Sequence, residues 1–178
     1  MTELSMHPCA RCARMQKTCC QHAEIVLTDG DIARISAHTG RADFWSRQKP
    51  TNPAYLQPDP ADPNWLAYTT DASGHRRMLN RLPDGDCGFL GPAGCTLPVD
   101  VRPLVCRLYP FAYNETGMTG IDDEYCPTEA LLPKGQPGIT MLTVLGMSPA
   151  EGERWRAMLY AELRQPSSPP KESPCASA

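Results

Sequence analysis

The sequence predicts an α+β fold: a small, irregular, loop-rich domain with a few short helices and a small β-hairpin or sheet. Three observations predict it. Nineteen prolines and 13 glycines in 178 residues leave little room for long regular elements. Hydrophobic content is 41% and aromatic content 7%, so a core is available but must be built mainly from aliphatic side chains. Nine cysteines exceed what packing alone requires, and seven of them gather in two runs: C-A-R-C-A-R-M-Q-K-T-C-C (9–20) and the Gly- and Pro-rich stretch from Cys87 to Pro110. The expected organisation is one cysteine-cluster domain over residues 1–164, followed by a Pro/Ser-rich disordered tail over 165–178.

The formal net charge is −3, from 17 basic and 20 acidic residues. That balance argues against a protein driven electrostatically onto nucleic acid or a membrane surface. The N-terminal residues M-T-E-L-S-M-H-P show neither the basic nor the apolar region of a secretory signal, and no run of about 18 apolar residues predicts a membrane span. An odd number of cysteines without an export signal points to reduced thiols in the cytoplasm, and so to metal binding rather than a disulfide framework.

Taken in order, residues 1–8 read as a loose lead. Thr28 is an N-cap, with Asp29 and Asp31 in the positive first turn of a helix over 29–39 that Gly40 stops. Asp43 reads as the cap of a short helix through Phe44 and Trp45. Residues 49–64 carry five prolines and read as a surface loop. Trp65–Thr70 and Arg77–Leu82 are expected strands, joined by the turn Asp71–His75 into a β-hairpin. Gly88, Gly91 and Gly94 have no βα context, so they read as backbone turning tightly around sulfur rather than as a phosphate loop. A short helix is expected to begin near Pro103 and to end before Pro110, carrying Cys106. Phe111–Asn114 is an expected strand, E-T-G-M-T-G (115–120) a turn, and Ile139–Met147 a short helical region. Ser148-Pro149-Ala150-Glu151 is a capping box that opens a helix over 149–164, burying Trp155, Met158, Leu159 and Leu163.

The candidate metal ligands are Cys9, Cys12, Cys19, Cys20, Cys87, Cys95, Cys106 and Cys126. Cys9-x-x-Cys12 can hold one ion on a tight turn. Side chains of adjacent residues in an extended segment diverge, so the Cys19-Cys20 pair suits two ions or a multi-iron cluster, unless only one of the two is a ligand. His7 and His22 flank thiols that already supply enough donors, and read as surface histidines. Asp122, Asp123 and Glu124 read as solvated, because a thiolate-rich site selects softer ions than carboxylates do. Arg11, Arg14 and Lys17 are positioned to offset thiolate charge. Arg102 and Arg107 are the candidate cofactor-binding residues, with the alternative that each ties loops through backbone carbonyls. Cys175, in the tail, is set aside as a free thiol.

The pattern C-x2-C-x6-C-C, then L-T-D-x-D-I-x-R-I, then C-x-F-L, a second cysteine and R-P-x-x-C-R-x-Y-P-F, resembles the YkgJ-type cysteine-cluster family over about residues 9–127. The resemblance implies a zinc- or iron-chelating domain whose eight cysteines fall on the positions named above. Its usual spacer before the double cysteine is shorter than the six residues here. The implied cofactor is zinc or iron, with an iron–sulfur cluster as one form, and the partner is a metal ion. Three roles are left open: a metal-binding protein whose ion is structural, stored, sensed or delivered; a metalloenzyme or electron-transfer protein with Arg102, Arg107 and Tyr109 facing substrate; and an interaction module with structural zinc.

Overall fold

The computed structural model describes residues 7–165; the expectations for the first six residues, for residues 166–178 and for Cys175 lie outside this range. The described chain is a mixed α+β arrangement of short helices and two-stranded antiparallel sheets joined by loops. Two helical turns come first, α1 (Pro8–Cys12) and α2 (Cys19–His22). Next is α3 (Asp29–Thr39), bounded by its own caps. Thr28 Oγ1 accepts from the Asp31 N–H, Asp31 accepts from the Thr28 N–H, and Gly40 closes the helix at φ 68°.

The segment after α3 departs from expectation. Trp45–Gln48 is a strand, β1, because the Asp43 carboxylate is taken by Arg41 at 2.9 Å and caps no helix. β1 pairs with β2 (Arg76–Leu79), placing Trp45 opposite Leu79 and Gln48 opposite Arg76. Residues 49–64 form the expected loop, containing one 3₁₀ turn at Pro53–Leu56. The predicted strand at 65–70 is instead a helix, α4 (Trp65–Thr69). Its backbone donors are satisfied locally, and the i, i+3 spacing carries Trp65 and Tyr68 onto the same hydrophobic cluster. The expected hairpin therefore does not form: the turn at 71–75 is present, but it joins a helix to a strand whose partner lies earlier in the chain.

A small hairpin follows, β3 (Leu90–Gly91) with β4 (Gly94–Cys95). Then come α5 (Leu104–Leu108) and the hairpin of β5 (Phe111–Asn114) with β6 (Gly117–Ile121). Only Glu115 and Thr116 of the expected E-T-G-M-T-G turn lie between those strands. α6 (Thr128–Leu131), α7 (Met141–Leu145) and α8 (Pro149–Leu163) complete the described chain, and Ser148 caps α8 as its sequence requires.

Apolar side chains gather in three groups. The first joins Leu27, Ile35, Phe44, Leu79, Phe89 and Leu97 with Cys87, and Cys20 and Cys95 pack against it. The second joins Phe111, Leu131, Met141 and Met147 with Cys12, and Cys126 packs against it. The third locks α8 onto α5 through Leu104, Leu108, Leu159 and Leu163. A polar tie fixes α3 to the other two helices. Asp31, fully buried, accepts from the Leu104 N–H at 3.0 Å and from Arg34, and Arg34 also pairs with Glu162 of α8 at 2.6 Å. Burial pushes the Asp31 carboxyl up, while these donors oppose that push. This tie sets the start of α5, and so the position of Cys106 two residues on. Among the described residues no helix is long and apolar enough to cross a membrane.

Candidate metal centre

Five chain segments deliver the eight predicted thiols. Cys9 and Cys12 lie on α1, whose first turn is capped by His7: the Cys9 N–H donates to His7 Nδ1 at 3.2 Å. Cys19 and Cys20 open α2. A helical pair is separated by about 100° rather than pointing to opposite sides, so the sequence argument from extended geometry does not apply. The cause is the T-x-x-Q signature of Thr18 and Gln21, whose Oε1 accepts from the Thr18 N–H at 3.0 Å. Cys87 is tied directly to this turn, its N–H donating to the Cys20 carbonyl at 2.9 Å. Cys95 ends the β3–β4 hairpin, Cys106 lies on α5, and Cys126 follows the β5–β6 hairpin.

Gly94 shows why this hairpin needs glycine. It is buried at φ 100°, and an added Cβ would lie 3.7 Å from Cys9 Cβ. The backbone there turns against α1 in a conformation that L side chains avoid.

The thiols are mutually close enough to influence one another's ionisation. Cys20 is the hub, acting on Cys9, Cys12, Cys19, Cys87, Cys95 and Cys106. Cys126 is acted on by Cys12 and Cys9. Burial is the main cause that pushes Cys9 and Cys87 up to about 11 and Cys126 up to about 12, and it also raises Cys12, Cys95 and Cys106. Cys19 donates to Cys20, which raises Cys19 and lowers Cys20. The Thr18 hydroxyl, Arg102 and Arg81 further favour a Cys20 thiolate, against the effect of burial.

Of the two predicted arginines, only Arg102 reaches the thiols: it lowers Cys9, Cys20 and Cys95 and also donates from Nε to the Leu97 carbonyl at 2.9 Å. Arg107 donates to the Arg102 and Asp100 carbonyls and lies over the Trp155 ring, so it occupies the loop-tying role. Sequence reasoning missed Arg81. Its guanidinium donates to the Ala23 and Gly85 carbonyls and acts on Cys20 and Cys87. No local motif announces it. His7 and His22 are exposed, and His22 stacks on Tyr125.

Six of the thiols, Cys9, Cys12, Cys19, Cys20, Cys95 and Cys126, line a cavity of about 60 Å³ between the first two hydrophobic groups. Among the described residues, no three His, Cys, Asp or Glu side chains form a group that could hold a metal ion in this arrangement. The thiols ring the cavity without closing on one point. The donor chemistry nonetheless suits a thiophilic ion, because the cavity lining contains no histidine or carboxylate. Thr18 adds a second indication. Its buried Oγ1 lacks a satisfied hydrogen bond, and its nearest use is donation to a Cys20 thiolate, the form a metal would hold.

A family model described as "CxxCxxCC: Putative zinc- or iron-chelating domain" matches residues 8–127. The chain belongs to the CxxCxxCC family. All eight clustered cysteines fall inside the matched region, and metal binding is the property that the CxxCxxCC domain brings to it. The pattern in the family's description leaves two residues before the double cysteine, whereas this CxxCxxCC domain has six, Ala13–Thr18. Ala13–Lys17 form an exposed turn, so the longer spacer is accommodated at the surface while α1 and α2 keep their thiols together. No curated protein and no solved structure gives a match to the chain.

Proposed function

We propose that this CxxCxxCC domain chelates zinc or iron through Cys9, Cys12, Cys19, Cys20, Cys87, Cys95, Cys106 and Cys126. The observation that carries the reading is the convergence of eight thiols from five segments on one group with Cys20 as its hub. Bound metal would supply a charge that holds these thiols ionised and so cross-links α1, α2, the β3–β4 hairpin and α5. Arg102 and Arg81 would offset part of the thiolate charge from opposite sides of Cys20, and the Thr18 hydroxyl would donate to its sulfur. Arg107 would hold the loop that carries Arg102.

Metal and acid-labile sulfide, measured on protein purified without oxygen, test the reading. About two zinc per colourless chain fits two four-thiolate sites. Iron with equimolar sulfide and a broad visible absorption fits a thiolate-bound cluster. Less than about half an equivalent of zinc plus iron, unchanged by reconstitution, would defeat the proposal. Cys20→Ser is expected to lower bound metal by at least about half, because the hub thiol is lost.

A further inference from the structure

Beside the thiol cavity lies a second, larger space: a half-open cleft of about 350 Å³. Cys19, Tyr109 and Tyr125 border both spaces, and Cys106 faces only the cleft. The cleft is unlike the thiol cavity in charge. Glu24, Asp59, Asp62, Asp122 and Glu124 line it, against one cation, Arg76. Arg76 is already engaged, donating from Nε to Thr70 Oγ1 at 2.9 Å and from a terminal nitrogen to the Tyr55 carbonyl. Among the described residues none of the five carboxylates belongs to an ion pair.

Asp62 is the distinctive member. It is 5% exposed, and its Oδ2 accepts from the Tyr160 hydroxyl. Its Oδ1 is buried and has no hydrogen-bond partner. A buried carboxylate oxygen without a donor is costly, and native structures keep such groups where a ligand, ion or water completes them. Aromatic rings surround this end of the cleft. Trp65, Tyr113 and Tyr160 stand edge to face, with centroids 6.2 to 6.5 Å apart, and Trp65 and Tyr113 are part of the lining.

We propose that this cleft is a binding site for an organic cation, an alkylammonium group whose N–H donates to Asp62 Oδ1 while Trp65 and Tyr113 receive its charge and its carbon chain. Ring quadrupoles attract cations, and the excess of carboxylate excludes anions. A bare divalent ion is poorly served, because no three of these carboxylates are gathered to hold one and aromatic walls supply no oxygen ligands of the kind such ions require. The site lies against Cys19 and Cys106, but its occupancy does not depend on what the thiols hold.

The test is a titration of the full, metal-containing protein with n-butylammonium chloride at constant ionic strength, read by calorimetry and by tryptophan fluorescence. Sodium butyrate, n-butanol and magnesium chloride are the comparison probes. Saturable binding of n-butylammonium, at least about tenfold tighter than n-butanol and with no butyrate binding, is expected from a charge-assisted hydrogen bond to a desolvated carboxylate. Asp62→Asn keeps an acceptor for Tyr160 and should weaken n-butylammonium about tenfold or more. Should that variant melt early, Asp59→Asn, at an exposed position of the same cleft, is expected to weaken it about twofold to fivefold through lost long-range attraction. Equal affinity for n-butanol and n-butylammonium would overturn the proposal in favour of an apolar pocket. Magnesium binding that displaces n-butylammonium one for one would overturn it in favour of a metal site.

Discussion

Single residues show how closely the backbone is fitted to the thiols. Gly94→Ala places a side chain in the left-handed region beside Cys9, and such strain costs about 1–3 kcal/mol. The expected result is a lower melting temperature together with lower metal content, measured on the same preparation. A change that lowered stability alone would separate the turn from the centre. Glu24 fixes a different loop, accepting from the Thr51 N–H and hydroxyl and from the Asn52 N–H. Burial acts to raise its pKa, but these donors outweigh it and hold the carboxyl below its ordinary 4.5. Its contribution is therefore present above the ordinary value and is lost as pH falls through the depressed one. In acid titrations followed by circular dichroism, Glu24→Gln should flatten the loss of stability below pH 4.5; an unchanged slope would remove Glu24 from the account. At this same scale, the thiols were legible because their spacing is local. Arg81 and Asp62 were not, because each matters through neighbours distant in the chain.

Among the elements, α3 and α8 were readable from sequence because each carries its caps with it: Thr28 and Gly40 for one, Ser148 and Glu151 for the other. Removing the Ser148 cap by Ser148→Ala should cost about 1 kcal/mol in denaturant titration, with metal content unchanged because α8 holds none of the eight cysteines. The elements that were misread depend on partners elsewhere. β1 has no alternating pattern of its own and is a strand because Leu79, Met78, Arg77 and Arg76 pair with it. α4 has strand-like residues but buries two aromatic rings at helical spacing. α2 was the avoidable miss, since Thr18-x-x-Gln21 is visible in the sequence and turns the double cysteine onto a helix. Gly30 shows how tightly α3 meets α8: a Cβ there would overlap the Glu162 carboxylate, which is held by Arg34 and by the Thr28 hydroxyl. Gly30→Ala is expected to displace Glu162 and to lower stability by about 1–3 kcal/mol, and Glu162→Ala combined with it should recover part of that loss.

Across the whole molecule, the three apolar groups are small and meet around the cysteines, so the proposed metal is expected to contribute much of the cohesion. α1 and α2 have five and four residues and cannot persist on their own. Chelation should lower the melting temperature and open the amides of residues 8–22 to hydrogen exchange before those of α8. Uniform exchange along the chain, with and without chelator, would show that the fold stands without its ion. The α+β class was legible from composition, because the abundance of proline and glycine limits every element to a few turns. The way those elements meet was not, because it is set by long-range pairing and by polar ties such as Asp31 with Leu104.

The contact between Cys87 and Cys20 also has a consequence in time. Sixty-six residues separate the two, and at typical translation rates the ribosome needs roughly 3 to 13 s to add them. Throughout that interval the four N-terminal cysteines are outside while the second half of their proposed ligand set is still unmade. A nascent chain that captured an ion early would hold it with half a set and two helical turns too short to stand alone. On the proposed ligand set, loading belongs to the released chain, after Cys126 has emerged, and the cell must keep eight thiols reduced until then.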